Sequence, residues 1–246
     1  MGTQASAKDI PGDTISLSDE SKAVALLQTS VMNLWGVVND LTRLRPTRRE
    51  RYRVTIFGSA RVQKDHWVYR AVRDLATELT RRDCDIITGG GPGLMQAANE
   101  GVHLANPGAK KGSVGIRVDL PFEQKANSFV TETFEHGTFF TRLHHFVLTS
   151  DAFIVVPGGI GTVLETMMIW QLLQVKKLHD TPLILAGDMF EELVEWAKKY
   201  MLRPHFPLAS PQDISIPRCV KDGQSILKII RKHHTEWKKA APAKSH

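Results

Sequence analysis

Beyond residue 53 the chain alternates between two apolar patterns: short continuous runs, and longer stretches in which apolar residues recur at three- and four-residue steps. The short runs predict strands at 54–57, 84–88, 113–118, 130–134, 152–156 and 182–186. The longer stretches predict helices at 67–82, after Gly93, and at 138–148, 163–175 and 190–200. Runs that do not alternate with polar residues suit strands buried on both faces, and the intervening helices suit crossovers. The expected fold class is therefore α/β, a doubly wound, mostly parallel sheet with helices on both faces. Ahead of it, Val24, Leu27, Val31, Leu34, Val38 and Leu41 form one stripe of a helix over 22–44, an N-terminal extension whose apolar face must pack on this domain or on a partner. Residues 1–18 are rich in Gly, Ser, Thr and Asp and read as a disordered tail. The expected organisation is a tail at 1–18, an amphipathic helix and basic linker at 19–52, a nucleotide-binding catalytic domain at 53–220, and a basic helix and tail at 221–246.

Composition narrows the class. With 246 residues and 42% hydrophobic content the chain can bury one substantial core and hardly a second. Its first twenty residues lack a basic start followed by an apolar run, and no stretch approaches the roughly 18 apolar residues of a membrane span, so a soluble cytoplasmic protein is expected. Cys84 and Cys219 form no close pair and read as packed thiols. The ten histidines include no zinc-like spacing, and the neighbours His144 and His145, like His233 and His234, face different sides of a helix. No metal site is expected. The net charge of +6 divides into +2 over residues 1–53, −1 over 54–220 and +5 over 221–246. Basic ends without interleaved aromatics or a reading motif are solvated surface more often than a nucleic-acid interface, so nucleic acid is not an expected partner.

The chemistry is signalled by the turns. The predicted strand 152–156 runs into Pro157-Gly158-Gly159-Ile160-Gly161-Thr162-Val163-Leu164-Glu165, a glycine turn opening a helix. Glycines there allow close approach and positive φ, and the first-turn N–H groups face whatever sits in the turn, which makes phosphate the natural guest. Two further turns, Gly58-Ser59 and Gly89-Gly90-Gly91-Pro92-Gly93, end earlier strands at the same edge of a parallel sheet and should converge with it on one crevice. Leu94 stands where a dinucleotide fingerprint needs glycine, and no Gly-Lys-Ser/Thr follows, so neither a nicotinamide site nor a P-loop is present. Glu165 places a carboxylate beside the third turn. Spacing alone gives that carboxylate a duller role, because Thr162-Val163-Leu164-Glu165 fits a capping box that only ties down the helix start. Arg142 has a plain reading too: with Thr138, His145 and Thr149 it falls on one polar stripe, consistent with a solvated helix face.

Taken together, Gly89-Gly90-Gly91-Pro92-Gly93-Leu94-Met95, Leu120-Pro121-Phe122-Glu123-Gln124, Arg142, and Pro157-Gly158-Gly159 through Gly161-Thr162 to Glu165 resemble the signature of the LOG ("Lonely guy") family. The likeness covers about residues 53–202. The family consists of cytokinin riboside 5′-monophosphate phosphoribohydrolases, often labelled lysine decarboxylases. The resemblance implies a Rossmann-like homodimer or higher homo-oligomer that hydrolyses the N-glycosidic bond of a nucleoside 5′-monophosphate, without a cofactor, to a free base and ribose 5-phosphate. Carried over by position, the catalytic pair falls on Arg142 and Glu165, and a contacting glutamate on Glu123. The substrate loop falls on Gly158, Gly159, Ile160, Gly161 and Thr162, with Ser59, Gly90 and Gly91 as further contacts from the other turns. Leu143, Leu148 and Leu164 depart from the family's usual lysine, arginine and glutamate. These departures bear on affinity and base preference.

Elementary chemistry agrees with those roles. Breaking a ribosyl C–N bond builds positive charge on the sugar, so a nearby carboxylate lowers the barrier and can orient or deprotonate the attacking water. A guanidinium and backbone amides can hold the phosphate. The substrate class implied is a cytokinin nucleotide or an AMP-like purine nucleotide. The alternative is a carrier of the same architecture, for a nucleotide or molybdopterin, that binds without cleaving. The decarboxylase label would need a lysine placed for pyridoxal phosphate, and none of the motifs offers one.

Overall fold

The computed structural model describes residues 20–41, 50–108, 110–119 and 126–240. The expected tail at 1–18, the basic run from Arg43 to Arg49, and the predicted contact Glu123 lie outside the described residues, as do the side chains of residues 32–41. Helix α1 (Glu20–Leu41) belongs to a unit of its own, and Val24, Leu27 and Val31 of its apolar stripe are exposed.

The remaining unit is built on strands β1 (Tyr52–Phe57), β2 (Cys84–Thr88), β3 (Ser113–Val118), β4 (Glu132–His136), β5 (Ala152–Val155), β6 (Leu183–Ala186) and β9 (Arg218–Val220). They form one sheet in the order β4-β3-β2-β1-β5-β6-β9, every neighbouring pair parallel. The helices between them are α2 (Trp67–Thr80), α3 (Leu94–Ala105), α4 (Phe139–Thr149), α5 (Ile160–Gln174), α6 (Asp188–Met201), α7 (Pro211–Ile214) and α8 (Gly223–Lys239). A small hairpin, β7 (Leu202–Arg203) with β8 (Phe206–Pro207), follows α6.

Alternate residues of the central strands feed two cores. Tyr52, Val54, Ile56, Ile86 and Ile154 pack with Leu79 of α2, Ala98 of α3, and Ile226 and Ile230 of α8. Phe57, Ile87, Phe153, Val155 and Leu185 pack with Phe146 of α4, Ile169 and Trp170 of α5, and Phe190 of α6. Two covered faces explain why the strands read as unbroken apolar runs. The architecture is thus the expected Rossmann-like, doubly wound α/β fold. The C-terminal basic helix is part of it, because α8 buries Ile226 and Ile230 while its lysines face outward.

Several boundaries differ from the pattern-based expectation: α1 spans Glu20–Leu41 and α6 Asp188–Met201, each starting two residues early, and two differences have a clear physical reason. The strand placed at 130–134 is found at Glu132–His136, because Val130 donates to Asn127 in a turn and the ladder with β3 opens only at Val114 and Glu132. Helix α5 starts at Ile160, three residues before the expected position. No described helix is long and apolar enough to cross a membrane.

Candidate active site

The sheet reverses direction at β1. The chain builds outward through β2, β3 and β4, then returns to lay β5 on the other side of β1. Such a switch point opens a crevice at the carboxyl ends of the strands. The turns that end β1, β2 and β5 meet there as expected. Ser59 donates its N–H to Pro157 O (3.1 Å), and Leu94 donates its N–H to Ser59 O (2.8 Å). A side chain at Gly58 would press into Val156 at 2.6 Å, and one at Gly93, where φ is +68°, would collide with Ser59 O. Glycine at these two positions lets three loops share one point.

The second turn is fastened by a polar network of buried Thr88, Asn99 and Ser113 with half-buried Asn127. Gly90 donates its N–H to Thr88 Oγ1 (2.9 Å), so this amide is not free for a ligand. The Asn127 side chain donates to Gly90 O, Gly91 O and Asn99 Oδ1, and Asn99 is fully buried. Asn99 in turn accepts from Thr88 and donates to Ser113. This network was not anticipated from the sequence. Its signal was a lone amide on the otherwise apolar face of α3. Ser59 is likewise occupied locally, its Oγ accepting from the Arg61 N–H at 3.0 Å.

The third turn differs from expectation in one respect. None of Gly158, Gly159 and Gly161 adopts positive φ. Gly158 is required by crowding, since a Cβ there would overlap the Thr162 side chain. Gly159, which caps α5, and Gly161 face open space, and they are exposed together with Ile160. The turn therefore presents the first-turn amides of α5 to the crevice, with the positive end of the helix dipole behind them.

Beside that helix start lies a buried ion pair. Arg142, one turn into α4, and Glu165, in the second turn of α5, approach at 3.2 Å between Nη1 and Oε1, with side chains only 13% and 10% exposed. Arg142 also donates from Nε to Ile116 O (3.0 Å) at the end of β3, and its guanidinium lies 5.2 Å from the Phe146 ring centroid. The solvated-face reading of Arg142 is thereby excluded. The polar stripe on α4 turns inward at this residue, because the main-chain carbonyl and a carboxylate await it there. The capping-box reading of Glu165 also fails. With α5 starting at Ile160 and capped by Gly159, Thr162 and Glu165 are interior helical residues, and no side chain caps the helix. Burial pushes the Glu165 carboxyl up to about 7, against the downward pull of Arg142.

Gly89 completes the arrangement. A Cβ at this position would lie 2.5 Å from Arg142 Nη2 and 2.7 Å from Met95 Sδ, so the missing side chain is what admits the guanidinium. Gly89 and Met95, though both in the quoted motif, were absent from the predicted contacts. Met95 lies half-buried over Gly89 and Gly91 at the crevice wall. Arg142, Glu165, Gly90, Gly91, Ser59 and residues 158–162 are accordingly gathered at one end of the sheet. Of the substituted family positions, Leu143 is buried while Leu164 is exposed on α5.

Comparison with known proteins places this geometry in context. The chain is 26% identical over 193 residues to the Escherichia coli K12 protein named pyrimidine/purine nucleotide 5′-monophosphate nucleosidase, an alignment covering 73% of this chain and 42% of the relative. It is 32% identical over 139 residues to the Arabidopsis thaliana protein named cytokinin riboside 5′-monophosphate phosphoribohydrolase LOG3, covering 55% of this chain and 61% of that one. The chain thus spans less than two thirds of the length of either relative. Among solved structures, the molybdenum cofactor carrier protein of Chlamydomonas reinhardtii superposes with a TM-score of 0.55 at 17% identity, over 76% of this chain and 99% of that one. The molybdenum cofactor binding protein of Rippkaea orientalis gives the same TM-score and identity, over 76% and 98%. At such identities these two likenesses speak to the fold alone. The family model described as "Possible lysine decarboxylase" matches residues 95–230, more than half of the chain, and with relatives that carry the LOG name it shows that the protein belongs to the LOG family.

Proposed function

We propose that the protein hydrolyses the N-glycosidic bond of a nucleoside 5′-monophosphate, either a cytokinin riboside 5′-monophosphate or an AMP-like nucleotide, to the free base and ribose 5-phosphate. The observation that carries this reading is the sequestered pair of Arg142 and Glu165 beside the open amino end of α5. In the proposed reaction the 5′-phosphate rests on the first-turn amides of α5. That places the ribose within reach of Glu165, whose negative charge offsets the positive charge growing on the sugar as the C–N bond lengthens. The bonding pair leaves with the base nitrogen, water attacks C1′, and Glu165 takes the water's proton, which is returned to the departing base. Arg142 has two tasks. Its Nη1 favours the ionised form of Glu165 against burial and orients it, while Nη2, on the Gly89 side, remains for a substrate oxygen.

No cofactor takes part in this proposal. A pyridoxal phosphate enzyme would need a lysine at the pair. The described groups shown against Arg142 include Gly89, Ile116, Phe146, Glu165 and His136, and none of them is a lysine. We further read the protein as a homodimer. Ile160, Leu164 and Met167 form an exposed apolar strip on α5 at helical spacing, and the departure at Leu164 enlarges it.

The test is incubation of the full chain with a panel of nucleoside monophosphates, including AMP and isopentenyladenosine 5′-monophosphate, with detection of the released base. Release from at least one of them is expected, and the preferred member names the base. Tight binding across the panel with no release would instead support a carrier.

A further inference from the structure

At the opposite end of the sheet, α8 lies across the end of α2 and encloses a hollow of about 480 Å³. Leu79, Leu227 and Ile230 are among its apolar lining residues, and Arg82, Arg231 and Lys238 among its basic ones. A shallower hollow of about 330 Å³ continues along α8 past Arg231 and Thr235 and is bordered by Lys228, Lys232 and Lys239. Arg82 gives one guanidinium nitrogen to Glu78, and its fork has further N–H donors. Asp83 also lines the first hollow, and it pairs with Arg51 at 3.7 Å.

The same hollow is lined by His234, only 7% exposed, stacked on Tyr52 at 4.6 Å and edge-on to Trp237. Its Nδ1 is 3.9 Å from Cys84 Sγ, and its Nε2 is buried with no hydrogen-bond partner among the described residues. A buried polar atom left unpaired is costly, and in a native fold it often marks a position that a ligand or ion completes. The local potential is positive as well. Burial first, then the Lys238 charge, holds His234 below the usual histidine range, with His233 and Arg51 acting the same way and Asp83 opposing them.

We propose that this hollow is a second anion-binding site, taking a small phosphorylated molecule whose phosphate lies on Arg82, Arg231 and Lys238 and whose organic part lies on Leu79, Leu227 and Ile230. The volume suits a small ligand. Guanidinium and ammonium groups of one sign around a walled hollow concentrate anions there, and the apolar lining residues favour an ester over a bare inorganic ion. The site is separate from the crevice. One lies at the amino end of β2 beside Cys84, the other beyond its carboxyl end at Gly89.

Phenyl phosphate and inorganic phosphate serve as probes, titrated calorimetrically into the full chain and into its Arg142→Ala variant, which weakens the crevice by removing its guanidinium while leaving the α5 amides. Phenyl phosphate should still bind the Arg142→Ala chain, more tightly than inorganic phosphate does. It should bind at least tenfold more weakly when Arg231→Ala and Lys238→Ala are added; both side chains are exposed, so the fold should survive their loss. In ¹⁵N-histidine spectra the Nε2 resonance of His234 should move on addition of the probe. Any of three results would overturn the proposal: no binding in the Arg142→Ala chain, binding indifferent to Arg231 and Lys238, or equal weakening by Lys228→Ala with Lys232→Ala, which marks a diffuse basic helix that a nucleic acid would suit better.

Discussion

A carboxyl group sealed from water beside a guanidinium is pulled in two directions, and at Glu165 burial outweighs Arg142, leaving it poised near 7. Two predictions follow from that position. If Glu165 must be ionised to act, kcat/KM rises with pH to a plateau with a midpoint near 7. Arg142→Met removes the opposing charge and should move the midpoint to higher pH as well as lower the plateau, both readable from a pH–rate profile. The second prediction concerns stability. Because the folded state holds this proton more tightly than the unfolded state, the residue's contribution falls as pH rises from about 4.5 to about 7 and is constant above. The stability of wild type relative to Glu165→Gln should therefore decline across that window, as urea unfolding at several pH values would show; a flat difference would mean that the carboxyl is not shifted. The sequence could not reveal this residue's setting. It offered Thr162 and Glu165 at capping-box spacing, and only the true start of α5 at Ile160 removes that account.

Element boundaries were legible where side chains signal them and illegible where backbone does. The strand at Cys84–Thr88 and the start of α2 at Trp67 fall where the apolar runs place them. Helix α5 begins early because its cap is Gly159, which has no side chain to announce it. Glycines at the turns likewise serve different ends that a motif does not separate. Gly89→Ala would drive a methyl to within 2.5 Å of Arg142 Nη2 and force the guanidinium off Glu165, so activity should fall by about tenfold or more while the chain stays folded. Thermal melting beside the base-release assay checks this. On the same helix the exposed strip of Ile160, Leu164 and Met167 predicts that Leu164→Asp turns a dimer into monomers. Light scattering after size exclusion decides, and a wild-type monomer would refute the dimer outright.

At the scale of the molecule, alternating strands and helices already implied a parallel sheet, and the rule for such sheets already sent three glycine turns to one crevice. The hydrogen bonds from Ser59 to Pro157 and from Leu94 to Ser59 show those turns meeting. The family resemblance paired Arg142 with Glu165, but hydrophobic pattern and spacing alone did not bring them together. The two side chains meet at the carboxyl end of the sheet because β5 returns beside β1, and the stripe containing Arg142 looked like solvated surface. The basic end at 221–246 was similarly opaque, since its charges hid the two isoleucines that bind α8 to the core.

All of this rests on the buried pair performing chemistry rather than merely joining two helices. The direct measurement is base release by Glu165→Gln against wild type, on whichever nucleotide the wild-type chain cleaves, with both proteins shown to be folded by thermal melting. Glutamine preserves shape and hydrogen bonding but carries no charge and cannot take a proton. The account predicts near-normal melting and a rate lower by about a hundredfold or more; turnover within a few-fold of wild type would contradict it.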